Sequence, residues 1–280
     1  MIALVRTEFT KAFLRLRTLV ITLLLVGLPT LIVVAVKTHE NRPHREGGEG
    51  LFRLAQQSGL LVPAAVLSAM SGFLLVVIAG TFAGDSVAGD AAWGNLRYLL
   101  MRPVPRGRLL VAKALVAGKL IWACTFFVTL VALAGGVLLF GAHPVTVSSS
   151  ISGLLTGHGP FELSTAELLV RLAIATGYVA FGFTALLAIG TLFSTITDTA
   201  AGAIGATIGV YIVSEILDAI TQLGRVRYLF PTHYASAWTT MFTRDTFSHD
   251  MVVGLAVQLA YLVVFGTAAL VWFRRKDIRS

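Results

Sequence analysis

With one cysteine and only 13% charged residues, this 280-residue chain is restricted in kind before any motif is sought. Cys124 lies inside an apolar block, and one thiol makes neither an internal disulfide nor a cysteine metal cluster. It reads as a small packing residue. A soluble chain would carry roughly a quarter charged residues, so a soluble globular domain is excluded. The apolar blocks do not alternate with polar residues, which argues against the strands of a membrane barrel. No G-x-x-x-x-G-K-[ST] phosphate loop occurs, since Gly118-Lys119 is followed by Leu120. No H-E-x-x-H or G-x-S-x-G motif supports a protease or hydrolase. The six histidines, at 39, 44, 143, 158, 233 and 249, match no metal-ligand spacing. The expectation is a chain with no catalytic residues, metal or cofactor of its own.

Apolar residues are abundant, at 56% of positions with a mean hydropathy of +0.83. They gather in blocks of 19 residues or more, the length that crosses a hydrocarbon layer about 30 Å thick. Six spans follow: Thr18 to Val36, Leu60 to Gly84, Ala114 to Gly141, Leu168 to Phe193, Thr199 to Ile220 and Met251 to Phe273. The reading is a single all-α membrane domain over 1–280.

The net charge of +8 reflects orientation in such a chain and not nucleic-acid binding. With the N-terminus inside, 14 of the 22 basic residues face the cytoplasm, including Arg6, Arg17, Arg97, Arg106, Lys113 and Arg274. Lysine and arginine counts set orientation, so a multi-pass protein with both termini cytoplasmic is expected. Residues 2 to 16 place Ile2, Val5, Phe9, Phe13 and Leu16 on one helical face, with Arg6, Lys11 and Arg15 largely off it. An amphipathic helix over 1–17, lying in the inner leaflet, follows from that pattern.

The most informative segment is the cytoplasmic loop over 85–113. Asp85 or Asp90 can serve the start of a short helix. Trp93, Leu96, Leu99 and Leu100 then recur at helical spacing, with Asn95, Arg97 and Arg102 off that face. Pro103 and Pro105 end the helix, because each removes a backbone donor. Arg106 and Arg108 suit lipid phosphates or the carboxylates of a partner. Two readings fit these residues equally: a docking element for a soluble partner, or a surface helix resting on lipid.

The same loop resembles that of the type-2 permeases of ATP-binding-cassette exporters. Asp90 stands in the family's acidic region, and Gly94-Asn95 replaces its Gly-Thr-like pair. Leu96-Arg97-Tyr98-Leu99-Leu100 stands for the helix, Arg102-Pro103-Val104-Pro105-Arg106 for the turn, and Lys113 for the lysine that opens the next span. Tyr228-Leu229-Phe230-Pro231-Thr232-His233-Tyr234 is similar to the family's proline-aromatic cluster, which implies an outer re-entrant segment over 221–250. The resemblance implies a coupling helix seated in an ATPase subunit, with Trp93, Leu96, Leu99 and Leu100 as contacts and Arg97 and Arg106 as polar anchors. It further implies two ATPase copies that supply ATP and Mg, a second permease subunit (identical or related), and a place in the cytoplasmic (inner) membrane; the abundance of Ala, Val, Gly and of Arg over Lys points to a GC-rich bacterial genome.

Other residues leave alternatives open. Glu215 and Asp218, near the outer end of the fifth span, line a substrate path or sit at headgroup level. Gly205-x-x-x-Gly209 permits close helix approach within one subunit or across a dimer. A membrane scaffold or sensor that recruits a cytosolic protein is the rival to transport. A small ion-coupled carrier is weakened by the lack of a repeat and of acidic residues near mid-membrane.

Overall fold

The computed structural model describes residues 9–10, 16–38, 55, 58–92, 94, 105–143, 145–147, 161–242 and 248–276. In chain order the helices are α1 (Leu16–Thr38), α2 (Val62–Ser71), α3 (Leu74–Ala92), α4 (Arg106–Phe140), α5 (Thr165–Ile196), α6 (Ala200–Ala219) and α7 (His249–Arg275). All but the ten-residue α2 are long and apolar enough to cross a bilayer, giving six spans. The protein is all-α in class. Two three-residue strands, β1 (Val145–Val147) and β2 (Phe161–Leu163), pair antiparallel in the connection between α4 and α5.

The start of α1, the end of α3, the start of α4, the α5–α6 turn and the end of α7 lie together, and this is termed the basal end. The opposite, distal end carries the strands and two 3₁₀ helices, Thr221–Leu229 and Ala237–Phe242. Most of the 1–17 segment, and Trp93, Leu96, Arg97, Leu99 and Leu100, lie outside the described residues.

Helices α3 and α5 form the centre, and small residues let them approach their neighbours. A Cβ on Gly84 of α3 would stand 2.7 Å from the Ile204 backbone nitrogen of α6, and one on Gly190 of α5 would meet Ala83 at 2.5 Å and Thr207 at 3.0 Å. Close packing of this kind replaces the hydrophobic driving force that helices lack within lipid. By contrast, nothing stands within 4 Å of a Cβ at Gly205 or Gly209. The close approach in this subunit therefore runs through α3, and the Gly205-x-x-x-Gly209 face packs on no described residue.

Helix α1 is peripheral. It buries Thr18, Ile21, Leu25, Pro29, Val33 and Val36, three or four positions apart, and leaves Leu19, Leu23 and Leu31 exposed. That is one packed stripe on an otherwise lipid-facing helix.

The second span departs from the expected Leu60 to Gly84. Short α2 is buried along most of its length, and the chain breaks at Gly72-Phe73 before α3 begins. Pro63 sits in the first turn of α2, where no intrahelical donor is lost. Helix α3 then runs eight residues past Gly84. It closes at Gly94, whose φ of 69° is left-handed and whose N–H donates to the Ala91 carbonyl at 3.0 Å. Asp85 and Asp90 thus lie inside α3 and do not start a short helix. The 85–113 loop narrows to a connection over 93–105.

Candidate functional site

At the basal end, the two aspartates of the expected 85–113 loop are buried and paired. Asp90 and Lys113 are 5% and 4% exposed, and the lysine donates to the Asp90 carboxylate. Their pairing ties α3 to α4 directly behind the 93–105 connection. Asp85, one turn earlier, pairs with Arg17 of α1, whose guanidinium also lies 6.0 Å from the Phe82 ring centre. Ser194 of α5 accepts from the backbone N–H groups of Val87 and Ala88 at 2.9 and 2.8 Å. A hydroxyl oxygen taking two helical donors in this way draws α3 against α5.

Arg106, the expected anchor, opens α4 after the N-cap Pro105. It is half-buried and donates to the Lys276 carbonyl at 2.9 Å. Lys276 in turn reaches Asp198 at 2.6 Å and the Thr195 carbonyl at 3.0 Å. The roots of the 93–105 connection are therefore linked to α1, α5 and the end of α7. The sequence signal for this was the spacing of Asp85 and Asp90 in an otherwise apolar, glycine-rich run; their partners are too distant along the chain to be named from it.

At the distal end, the 3₁₀ segment folds back against the bundle. Trp238, Met241 and Phe242 are buried in the main core. Side-chain bonds pin it to three helices. Tyr178 of α5 donates to the Tyr234 carbonyl at 2.8 Å, and Gln258 of α7 to the Pro231 carbonyl at 3.0 Å. Ser214 of α6 meets the Thr232 hydroxyl at 2.7 Å, and Arg171 donates to the Met241 carbonyl at 2.5 Å. Gly254 permits this closure, since a Cβ there would meet Tyr234 Cβ at 2.7 Å.

Between this segment, α2, α5, α6 and α7 lies a cavity of about 470 Å³, within the range of small-molecule sites. Both acidic residues singled out from the sequence line it. They differ in their partners. Asp218 accepts or shares a hydrogen bond with His233 Nδ1 at 2.6 Å and lies 3.5 Å from Arg227 Nε. Glu215 is exposed and lies one turn after Tyr211 on α6, both on the cavity lining. Tyr178, Tyr211, Tyr261 and Gln258 were not singled out from the sequence. Tyr211, Glu215 and Asp218 share a face at i, i+4 and i+7, as do Gln258, Tyr261 and Phe265 at i, i+3 and i+7, a pattern that marks a polar seam in an apolar helix. Among the described residues no three His, Cys, Asp or Glu side chains gather closely enough to hold a metal ion.

The family model for ABC-2 family transporter protein matches residues 2–278. The chain belongs to that family. No individually curated protein matches it. As an ABC-2 family member the chain is a permease, a membrane transport subunit. Membership covers the basal connection and the distal segment alike, so the resemblance first seen in residues 84–115 extends over nearly the whole ABC-2 permease.

Proposed function

We propose that this ABC-2 permease exports substrate from the cytoplasm, or from the inner to the outer leaflet, driven by a separate ATPase. Two ATPase copies, each holding ATP and Mg, and a second permease subunit complete the assembly in the cytoplasmic membrane. The chain itself performs no covalent chemistry. The observation that carries this reading is the buried Asp90–Lys113 pair behind the 93–105 connection. A loop clamped so close to its roots passes displacement to α3 and α4 as a unit. From there Asp85 reaches α1 and Arg106 reaches the end of α7. Trp93, Leu96, Leu99 and Leu100 dock the ATPase, with Arg97 and Arg106 as polar anchors. Closure of the ATPase on ATP pushes this element, and the helices rearrange around the distal cavity, with Glu215 and Asp218 on the substrate path.

Leu96→Asp tests the docking assignment. A carboxylate in an apolar groove costs far more than it regains unless it is paired. The variant should insert normally yet lose ATP-driven transport and the stimulation of hydrolysis by the permease. Unchanged transport in that variant overturns the assignment.

A further inference from the structure

The distal cavity has a chemical bias. Its lining includes Glu215 and Asp218 and the rings of Tyr178, Tyr211, Tyr261 and Phe265, and among the described residues no lysine or arginine lines it. Asp218 is already engaged by His233 and Arg227. Glu215, one turn from Tyr211 on α6, is exposed on the cavity lining, and no cation pairs with it among the described residues. An ionisable group within a span faces protein, a water-filled path or a partner of opposite charge. Gln258, buried in the same wall, donates its amide N–H to Pro231 and leaves Oε1 without a partner. A further acceptor therefore adds to the negative potential of the site. Aromatic faces attract cations by their quadrupole, more strongly where water is excluded. All of these features favour positive charge, and the apolar remainder of the wall favours a greasy body around it.

We propose that the distal cavity binds organic cations with an apolar body, with the charge held by Glu215 and the aromatic walls around it. As a substrate site this rests on the permease reading, but the binding itself does not require it. Two sources supply such chemistry: free lipophilic cations and the choline headgroup of a membrane lipid.

The test is equilibrium binding of labelled tetraphenylphosphonium to the purified full-length chain, without ATPase or nucleotide, in non-ionic detergent and in phosphatidylcholine nanodiscs. Saturable binding is expected, with no competition from tetraphenylborate, the anion of matching size. Glu215→Gln should weaken it by about tenfold or more, the equivalent of one pairing interaction of about 1.4 kcal/mol, and Glu215→Asp should restore part of it. Tyr211→Phe, which removes only a hydroxyl, should bind with a smaller loss and shows that α6 is intact. Binding in both media supports a site for free cations. Binding in detergent that is suppressed by phosphatidylcholine supports occupation by the headgroup. Absent saturable binding, equal binding by Glu215→Gln, or effective competition by tetraphenylborate overturns the proposal. Because no ATPase takes part, a failure here is distinct from a failure of ATP-driven transport.

Discussion

Asp90 and Lys113 are 23 positions apart, and their charges meet where almost no water reaches. A buried pair gives modest net stability, because desolvation offsets much of the attraction, but removing one partner leaves the other charge uncompensated. Lys113→Met should therefore cost about 3–5 kcal/mol of stability, read as a lowered unfolding temperature in detergent. The double variant Asp90→Asn, Lys113→Met should recover a substantial part. Equal losses in the single and double variants would show that the pair matters through packing alone. Lys276 is a contrasting case. It bridges Asp198 and the Thr195 carbonyl, but Asp198 is largely exposed, so its charge pair is worth little energetically. Its contribution is positional, since it holds the end of α7 beside the α5–α6 turn.

At the scale of elements, α3 is the helix on which the bundle depends. Gly84→Val would drive a branched side chain into the Ala203-Ile204 backbone of α6, where atoms of Ile204 stand under 3 Å from a Cβ and cannot yield as a flexible side chain would. A loss of about 1–3 kcal/mol is expected, with lower yield of folded protein. Gly209→Val should leave the fold of the single chain nearly unchanged, because open space surrounds that position. Thermal unfolding of the two variants side by side checks both. The six spans were legible in the sequence because each is a long apolar block, and the proline-aromatic run from Tyr228 to Tyr234 falls where the two 3₁₀ helices separate α6 from α7. The course of α3 was not legible. Gly84, Gly89 and two aspartates read locally as the end of a span, whereas Arg17, Lys113 and Ser194, from three other helices, partner that stretch as a buried helix. The break at Gly72-Phe73 was announced only by Ser71-Gly72, a turn-forming pair that the apolar residues on both sides outweighed. Half of the candidate cavity was visible as Glu215 and Asp218. The tyrosines and Gln258 were overlooked because amphipathic side chains in a span are ordinarily interfacial.

For the whole molecule, both ends of the bundle carry polar networks, but they do different work. The basal network joins helices α1, α3, α4, α5 and α7, while the distal one fixes a folded-back segment over a cavity. The proposed orientation, with the basal end in the cytoplasm, predicts a labelling pattern. In a Cys124→Ala background, Ser248→Cys should react with an impermeant maleimide on intact cells, and Asp198→Cys only after permeabilisation. The reverse pattern would invert the orientation read from the lysine and arginine counts. Coupling to ATP is tested most directly by gentle purification of the tagged chain from its own host's membranes, with every co-purifying protein identified and quantified. An ATP-driven permease predicts a stoichiometric ATPase bearing a phosphate-binding loop, retained by the wild-type chain and lost with Leu96→Asp. A preparation without such an ATPase, or one that keeps it undiminished in Leu96→Asp, would contradict coupling through the 93–105 connection.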